Sequence, residues 1–172
     1  MKQFFELFEL FSLSNVLKEE FIWMNLFDIL IGNQDRHGHN WQILHIEGRR
    51  VFAPLYDNGA SLGWQLSEVE VESLIADEVR MNTFFKKTQV KMGMDNKETP
   101  RIKAKQVLVY ICAHYKKEAN TFFERLSQFD MEEYRRFLEG FPLITPERKQ
   151  FLHKLIEFRK AKMEEIYRKE GV

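Results

Sequence analysis

Hydrophobic positions along the chain change their period several times, and each change marks an element. Phe4, Leu7, Phe8 and Phe11 recur at the spacing of one helical face. Asn15 is placed to cap a second helix, with Glu19 and Glu20 near its positive end. From Phe21 to Ile31 that helix is apolar almost all round, which predicts burial on most sides, and Gly32 stops it. The pattern then turns to alternation. Residues 41–46 and 51–56 read as two strands of a hairpin, with Glu47-Gly48-Arg49-Arg50 as the turn. Pro54 lacks an N–H, which puts the second strand at an edge or ends it early.

Beyond the hairpin the helix signals are mostly caps. Ser67 with Glu70, and Asp130 with Glu133, have the three-residue spacing of a capping box. Thr99-Pro100 and Thr145-Pro146 each set a cap before a proline at the first helical position, and Gly140 is a natural stop. A last helix from Pro146 towards Lys169 is expected to bury Phe151, Leu155 and Phe158. Residues 80–98 lack regular periodicity and read as a mobile loop. The fold class predicted is mainly α with a small β-hairpin, in a single domain over 1–172, without repeats or linkers.

Composition narrows the function classes. With 26 basic against 26 acidic residues in 172, there is no basic excess to suggest a dedicated nucleic-acid binder. The 16 phenylalanines predict a Phe-rich core. Cys112 is the single cysteine, which excludes an intrachain disulfide and a multi-cysteine zinc site and fits a reducing, cytoplasmic compartment. The longest apolar run, interrupted by Asn25 and Asp28, is far shorter than the roughly 20 residues a bilayer needs. A soluble protein with no membrane partner is expected.

The candidate chemistry is concentrated in Gly32-Asn33-Gln34-Asp35-Arg36-His37-Gly38-His39-Asn40, a polar loop directly after the buried helix. Asp35 and Asn40 have the D-x-x-x-x-N spacing that in kinases separates a catalytic Asp from a metal-binding Asn. A hairpin leaving Asn40 and returning at Asp57 brings the two near each other, because paired strands lie about 4.8 Å apart. An amide and a carboxylate oxygen there suit Mg²⁺, which keeps phosphates and water as its other ligands. Asp57-Asn58-Gly59 then stands where kinases carry D-F-G, and the pattern reads as phosphoryl transfer. Asn25 and Asp28, three apart, either support this loop or satisfy nearby backbone.

GNQDRHGHN followed by FAPLYDNGASL resembles the kinase-fold C-terminal domain of HipA-like toxin kinases. The D-R-H order is also similar to that of phosphatidylinositol 3-kinases and reverses the H-R-D of ordinary protein kinases; PLYDNG favours the HipA-like branch. The resemblance implies that Asp35 orients and deprotonates an acceptor hydroxyl, while Asn40 and Asp57 hold Mg²⁺ on the phosphates of ATP. It implies that His37 stabilises phosphoryl charge or braces the loop. Asn33, Arg36 and His39 are the candidate cofactor-facing residues; Arg36 can also brace Asp35 or Asp57, and Asn33 can hydrogen-bond across the loop. The implied reaction is transfer of the γ-phosphate to a Ser or Thr hydroxyl of a protein. The sequence has no G-x-G-x-x-G and no identifiable phosphate lysine. The expected protein-kinase-like C-lobe therefore lacks its N-lobe, and a partner polypeptide bearing that lobe, or an antitoxin, is implied. The alternative is a non-catalytic, pseudokinase-like interaction module docking through Phe4, Leu7, Phe8 and Phe11. A lipid-kinase relative is disfavoured by the lack of a basic membrane face. Lys86, Lys87, Lys91, Arg101, Lys103 and Lys105 read as a solvated charged surface.

Overall fold

The computed structural model describes residues 5–6, 14–91 and 101–170. The face formed by Phe4, Leu7, Phe8 and Phe11, and the Thr99-Pro100 cap, lie outside the described residues. The chain runs α1 (Ser14–Ile31), β1 (Ile43–Ile46), β2 (Arg49–Phe52), α2 (Glu68–Ala76), α3 (Glu78–Lys87), β3 (Gln89–Val90), β4 (Ile102–Lys103), α4 (Ala104–His114), α5 (Lys116–Ser127), α6 (Met131–Gly140) and α7 (Pro146–Glu170). It is mainly helical, with two small antiparallel hairpins. Among the described residues no helix is long and apolar enough to cross a membrane.

Helix α1 is enclosed as its composition demands. Phe21, Ile22, Leu26 and Ile29 are fully buried in the main core, with α4, α5 and the second half of α7 around them. A smaller core gathers Val71 and Leu74 of α2, Met81 of α3, and Phe151 and Leu155 of α7. The long helix α7 therefore spans both clusters, Phe151 and Leu155 serving the smaller and Ile156, Met163 and Ile166 the main one, with Arg159 one turn from Leu155 and from Met163. Phe158 is half-buried rather than enclosed. Cys112 is a buried core thiol, which burial pushes up to about 11.

The caps form largely where the sequence places them. Ser67 and Glu70 make the reciprocal capping box of α2, and Asp130 accepts from the amides of Glu132 and Glu133 at the start of α6. The first hairpin forms, with its turn tighter than expected. Glu47 and Gly48 both have positive φ, +50° and +75°, so the turn has two residues and Arg49 already pairs with Ile46. Trp41 stacks on Phe52 at 5.6 Å and meets Phe21 edge-on at 5.4 Å, which docks the hairpin on α1.

One expectation is overturned. Much of the stretch read as a mobile loop is helix α3 followed by strand β3. Asp77 caps α3 by accepting from the amides of Val79 and Arg80, and Met81 and Phe85, one turn apart, anchor it in the core. With only ten residues, and polar or charged side chains on most other positions, its apolar face is too short to stand out from the pattern.

Candidate active site

The loop begins with a helix stop in which the carbonyls of Asp28, Ile29 and Ile31 each find a partner. Gly32 takes φ +68°, and the Asn33 amide reaches back to the Asp28 carbonyl at 2.9 Å, the six-to-one bond of a Schellman motif. The neighbouring carbonyls of α1 are met from afar. Arg159 donates to that of Ile29 at 3.0 Å, and the Leu62 amide to that of Ile31 at 2.8 Å. A Cβ on Gly32 would lie 2.9 Å from the Arg159 guanidinium, so only glycine fits there.

Arg36 is the hub of the loop. Its Nε and Nη2 grip the two carboxylate oxygens of Asp28 at 2.9 Å each. Its Nη1 donates to the carbonyls of Asn40 (2.8 Å) and Tyr56 (2.7 Å), and Nη2 also donates to Asn58 Oδ1. A guanidinium has five N–H groups, and all five are spent inside the protein. Arg36 thus has nothing left for a phosphate. It acts as a brace, on Asp28 rather than on Asp35 or Asp57. In doing so it ties the residue that ends the loop to the residue before Asp57. Burial pushes the Asp28 carboxyl above the ordinary carboxylate range, against the pull of Arg36 and Asn33.

The remaining residues divide into locked and accessible groups. Asn33 is buried, donates to Asp28 Oδ1 at 3.0 Å and accepts from the Asp35 amide at 3.0 Å. Asn40 is buried, and its Nδ2 donates to the Asp35 carbonyl at 3.0 Å. His37 accepts the His39 amide on Nδ1 at 3.2 Å, and its own amide bonds the Asp35 carbonyl at 2.9 Å. His39 is exposed, and its carbonyl accepts from the Tyr56 hydroxyl at 2.7 Å. Asp57 is exposed and holds φ +52°. Of the two helical polar residues, Asp28 supports the loop, whereas Asn25 satisfies the Phe21 carbonyl at 2.7 Å within its own helix.

Asp35 combines both characters. Its backbone is fixed by Asn33, His37 and Asn40, while its side chain is 45% exposed. One carboxylate oxygen lies 2.8 Å from Lys91 Nζ. Lys91, with Arg101 and His37 adding to it, holds the Asp35 carboxyl below the usual range. Lys91 therefore belongs to the site, although nothing in its local sequence distinguishes it from the other surface lysines. It follows β3 directly, and Arg101 precedes β4 on the paired strand. The base of this second hairpin is also held by Arg159, which donates to Thr88 Oγ1 at 2.8 Å. The same arginine thus roots both segments that meet at Asp35.

Among the described residues no three His, Cys, Asp or Glu side chains gather as a metal cluster. The oxygen donors of Asn40 and Asp57 suit a hard cation completed by phosphates and water.

No protein-family model matches the chain. It is 26% identical over 152 residues to the serine/threonine-protein kinase CtkA of Helicobacter pylori, an alignment covering 85% of this chain and 45% of that protein. The crystal structure of the H. pylori proinflammatory kinase CtkA superposes with a TM-score of 0.76 at 25% identity, over 92% of this chain and 55% of that one. The chain is related to a serine/threonine-protein kinase. It spans about half the length of that relative.

Proposed function

We propose that this chain is the C-lobe of a HipA-like serine/threonine protein kinase, with Gly32–Asn40 as its catalytic loop. The observation that carries the reading is Asp35: a carboxylate on rigidly held backbone, open to solvent, beside a buried asparagine amide. In this reading Asp35 takes the proton of an acceptor hydroxyl. The acceptor oxygen bonds to the γ-phosphorus as the bond to the β–γ bridging oxygen breaks, and ADP leaves with that electron pair. Asn40 and Asp57 hold Mg²⁺, whose charge when bound offsets that of the ATP phosphates. Asn33 and Arg36 keep the loop in shape, and His37 and His39 border the phosphate region. Relationship to a serine/threonine kinase supports a protein acceptor.

Phosphoryl transfer needs groups on both sides of the nucleotide, and this chain offers the acceptor-side Asp and two metal ligands. A second polypeptide, or further sequence of the same protein, supplies the nucleotide cover. The test incubates the purified chain with labelled ATP, Mg²⁺ and a protein acceptor, alone and with a candidate N-lobe, beside its Asp35→Ala variant. Transfer that appears only with the added lobe and disappears in the variant is expected. Transfer unaffected by Asp35→Ala would remove the reading. A non-catalytic docking module would bind a partner equally well with Asp35 or Asp57 replaced.

A further inference from the structure

We propose that Lys91, carried in by the second hairpin, is the lysine that contacts the γ-phosphate, moving there from Asp35 when ATP binds. This rests on the phosphotransfer reading above and assigns it a residue that the catalytic loop itself lacks. The Gly32–Asn40 segment holds no lysine. Yet an ammonium lies 2.8 Å from Asp35 Oδ1, delivered from 56 residues away.

Three features make Lys91 suited to that task. The first is distance. An acceptor hydroxyl bonded to Asp35 sits about 3 Å from the carboxylate and attacks phosphorus from about 3 Å. The oxygens of the transferring group therefore lie within the swing of a side chain that already ends at Asp35. The second is mobility. Both side chains are partly exposed, 37% for Lys91 and 45% for Asp35, and such pairs are weak and easily exchanged. A phosphate carries more charge than one carboxylate and accepts charge-assisted hydrogen bonds on several oxygens. Exchange also frees Asp35 to receive the acceptor proton. The third is anchorage. Arg159 holds Thr88, at the foot of β3, to the Ile29 carbonyl at the end of α1, so the lysine and the loop share one support. Arg101, just before the paired strand β4, adds to the positive potential at Asp35.

The test is calorimetric titration of the chain with ADP and with ATP, each with Mg²⁺, for wild type, Lys91→Met and Lys91→Arg. Wild type should prefer ATP. Lys91→Met should lose about tenfold in ATP affinity, which is the γ-phosphate contact, while ADP affinity stays within about twofold. Lys91→Arg should recover part of the preference. Thermal unfolding of each variant confirms that it folds, as expected for an exposed side chain. ATP preference retained in Lys91→Met, equal loss for both nucleotides, or tighter ATP binding on removal of the lysine would each overturn the inference while leaving nucleotide binding intact. Wild type that binds neither nucleotide, alone or with the candidate N-lobe added, would overturn the phosphotransfer reading as well.

Discussion

Two arginines are buried beside the loop, and they are kept there in opposite ways. Arg36, 5% exposed, faces a carboxylate squarely and finds an acceptor for every N–H. Arg159, 2% exposed, has no carboxylate partner among the described residues. It has a carbonyl, a hydroxyl and the faces of Phe84 and Phe85 at 5.6 and 5.7 Å, and its Nε is unsatisfied. Burial pulls its pKa down to about 10, so it remains a cation at neutral pH. Its charge is met by the negative end of α1 and by π-faces. Arg36 belongs to an ion pair that shapes one loop. Arg159 is a tether between distant segments, and dipoles suffice to keep it.

That contrast implies an order of sensitivity. Asp28→Asn should be the most damaging change, because it strands the Arg36 charge in the interior. A loss of about 3–5 kcal/mol is expected in urea unfolding. A loss under about 1 kcal/mol would show that the carbonyls alone can hold Arg36.

Arg159→Met should cost less, about 2–4 kcal/mol, since it strands only neutral acceptors and refills most of the volume. Thr88→Val should cost about 1 kcal/mol less in the Arg159→Met background than in the wild type, because the Arg159 contact is already gone and only the hydroxyl's bond to the Phe84 carbonyl at 3.2 Å remains to be lost. If the two costs are equal, the hydroxyl contact is not part of the tether.

Gly32→Ala forces an L side chain to positive φ and into the Arg159 guanidinium, for about 1–3 kcal/mol. In the Arg159→Met background the contact part of that cost should shrink, leaving the backbone part. Equal costs in both backgrounds would argue that the arginine does not press on Gly32.

Smallest in stability is the exposed pair. Lys91→Met should raise the Asp35 carboxyl, read by carbon NMR, towards its ordinary value of 3.8. The sign follows from the direction of the shift. A depressed carboxyl contributes stability above its unfolded pKa, and that contribution disappears as pH falls through the folded one. Because both partners are solvated, the titration should move while the unfolding midpoint near pH 7 hardly changes.

The same contrast explains what could be read in advance. The Gly32 stop, the Ser67 and Asp130 caps, the start at Pro146 and the first hairpin are written in residues within a few positions of one another. Arg36 was also legible as a brace, because its partners lie on α1, in the loop itself and just past the hairpin. Its chosen carboxylate, Asp28, was visible only as one of two polar residues in an apolar helix, and the other, Asn25, does nothing for the loop. Arg159 and Lys91 carried no local signal. In sequence Arg159 is one more cation on a charged helix, and it becomes a core residue only because Ile29, 130 residues away, packs beside it. Lys91 sits among other lysines and is singled out by a strand pairing that begins past the unrecognised helix α3.

Asp57 stands at φ +52°, in a region where glycine is at ease and a side chain costs up to about 1 kcal/mol. A chain optimised for durability alone would carry glycine there, and the fold would gain from it. Selection of random variants for heat resistance, with no demand on activity, should therefore drift Asp57 to glycine, whereas selection for phosphotransfer should hold the carboxylate in place. The residue is a point where the two pressures pull apart, and sequencing the survivors of each would reveal which one this chain has answered to.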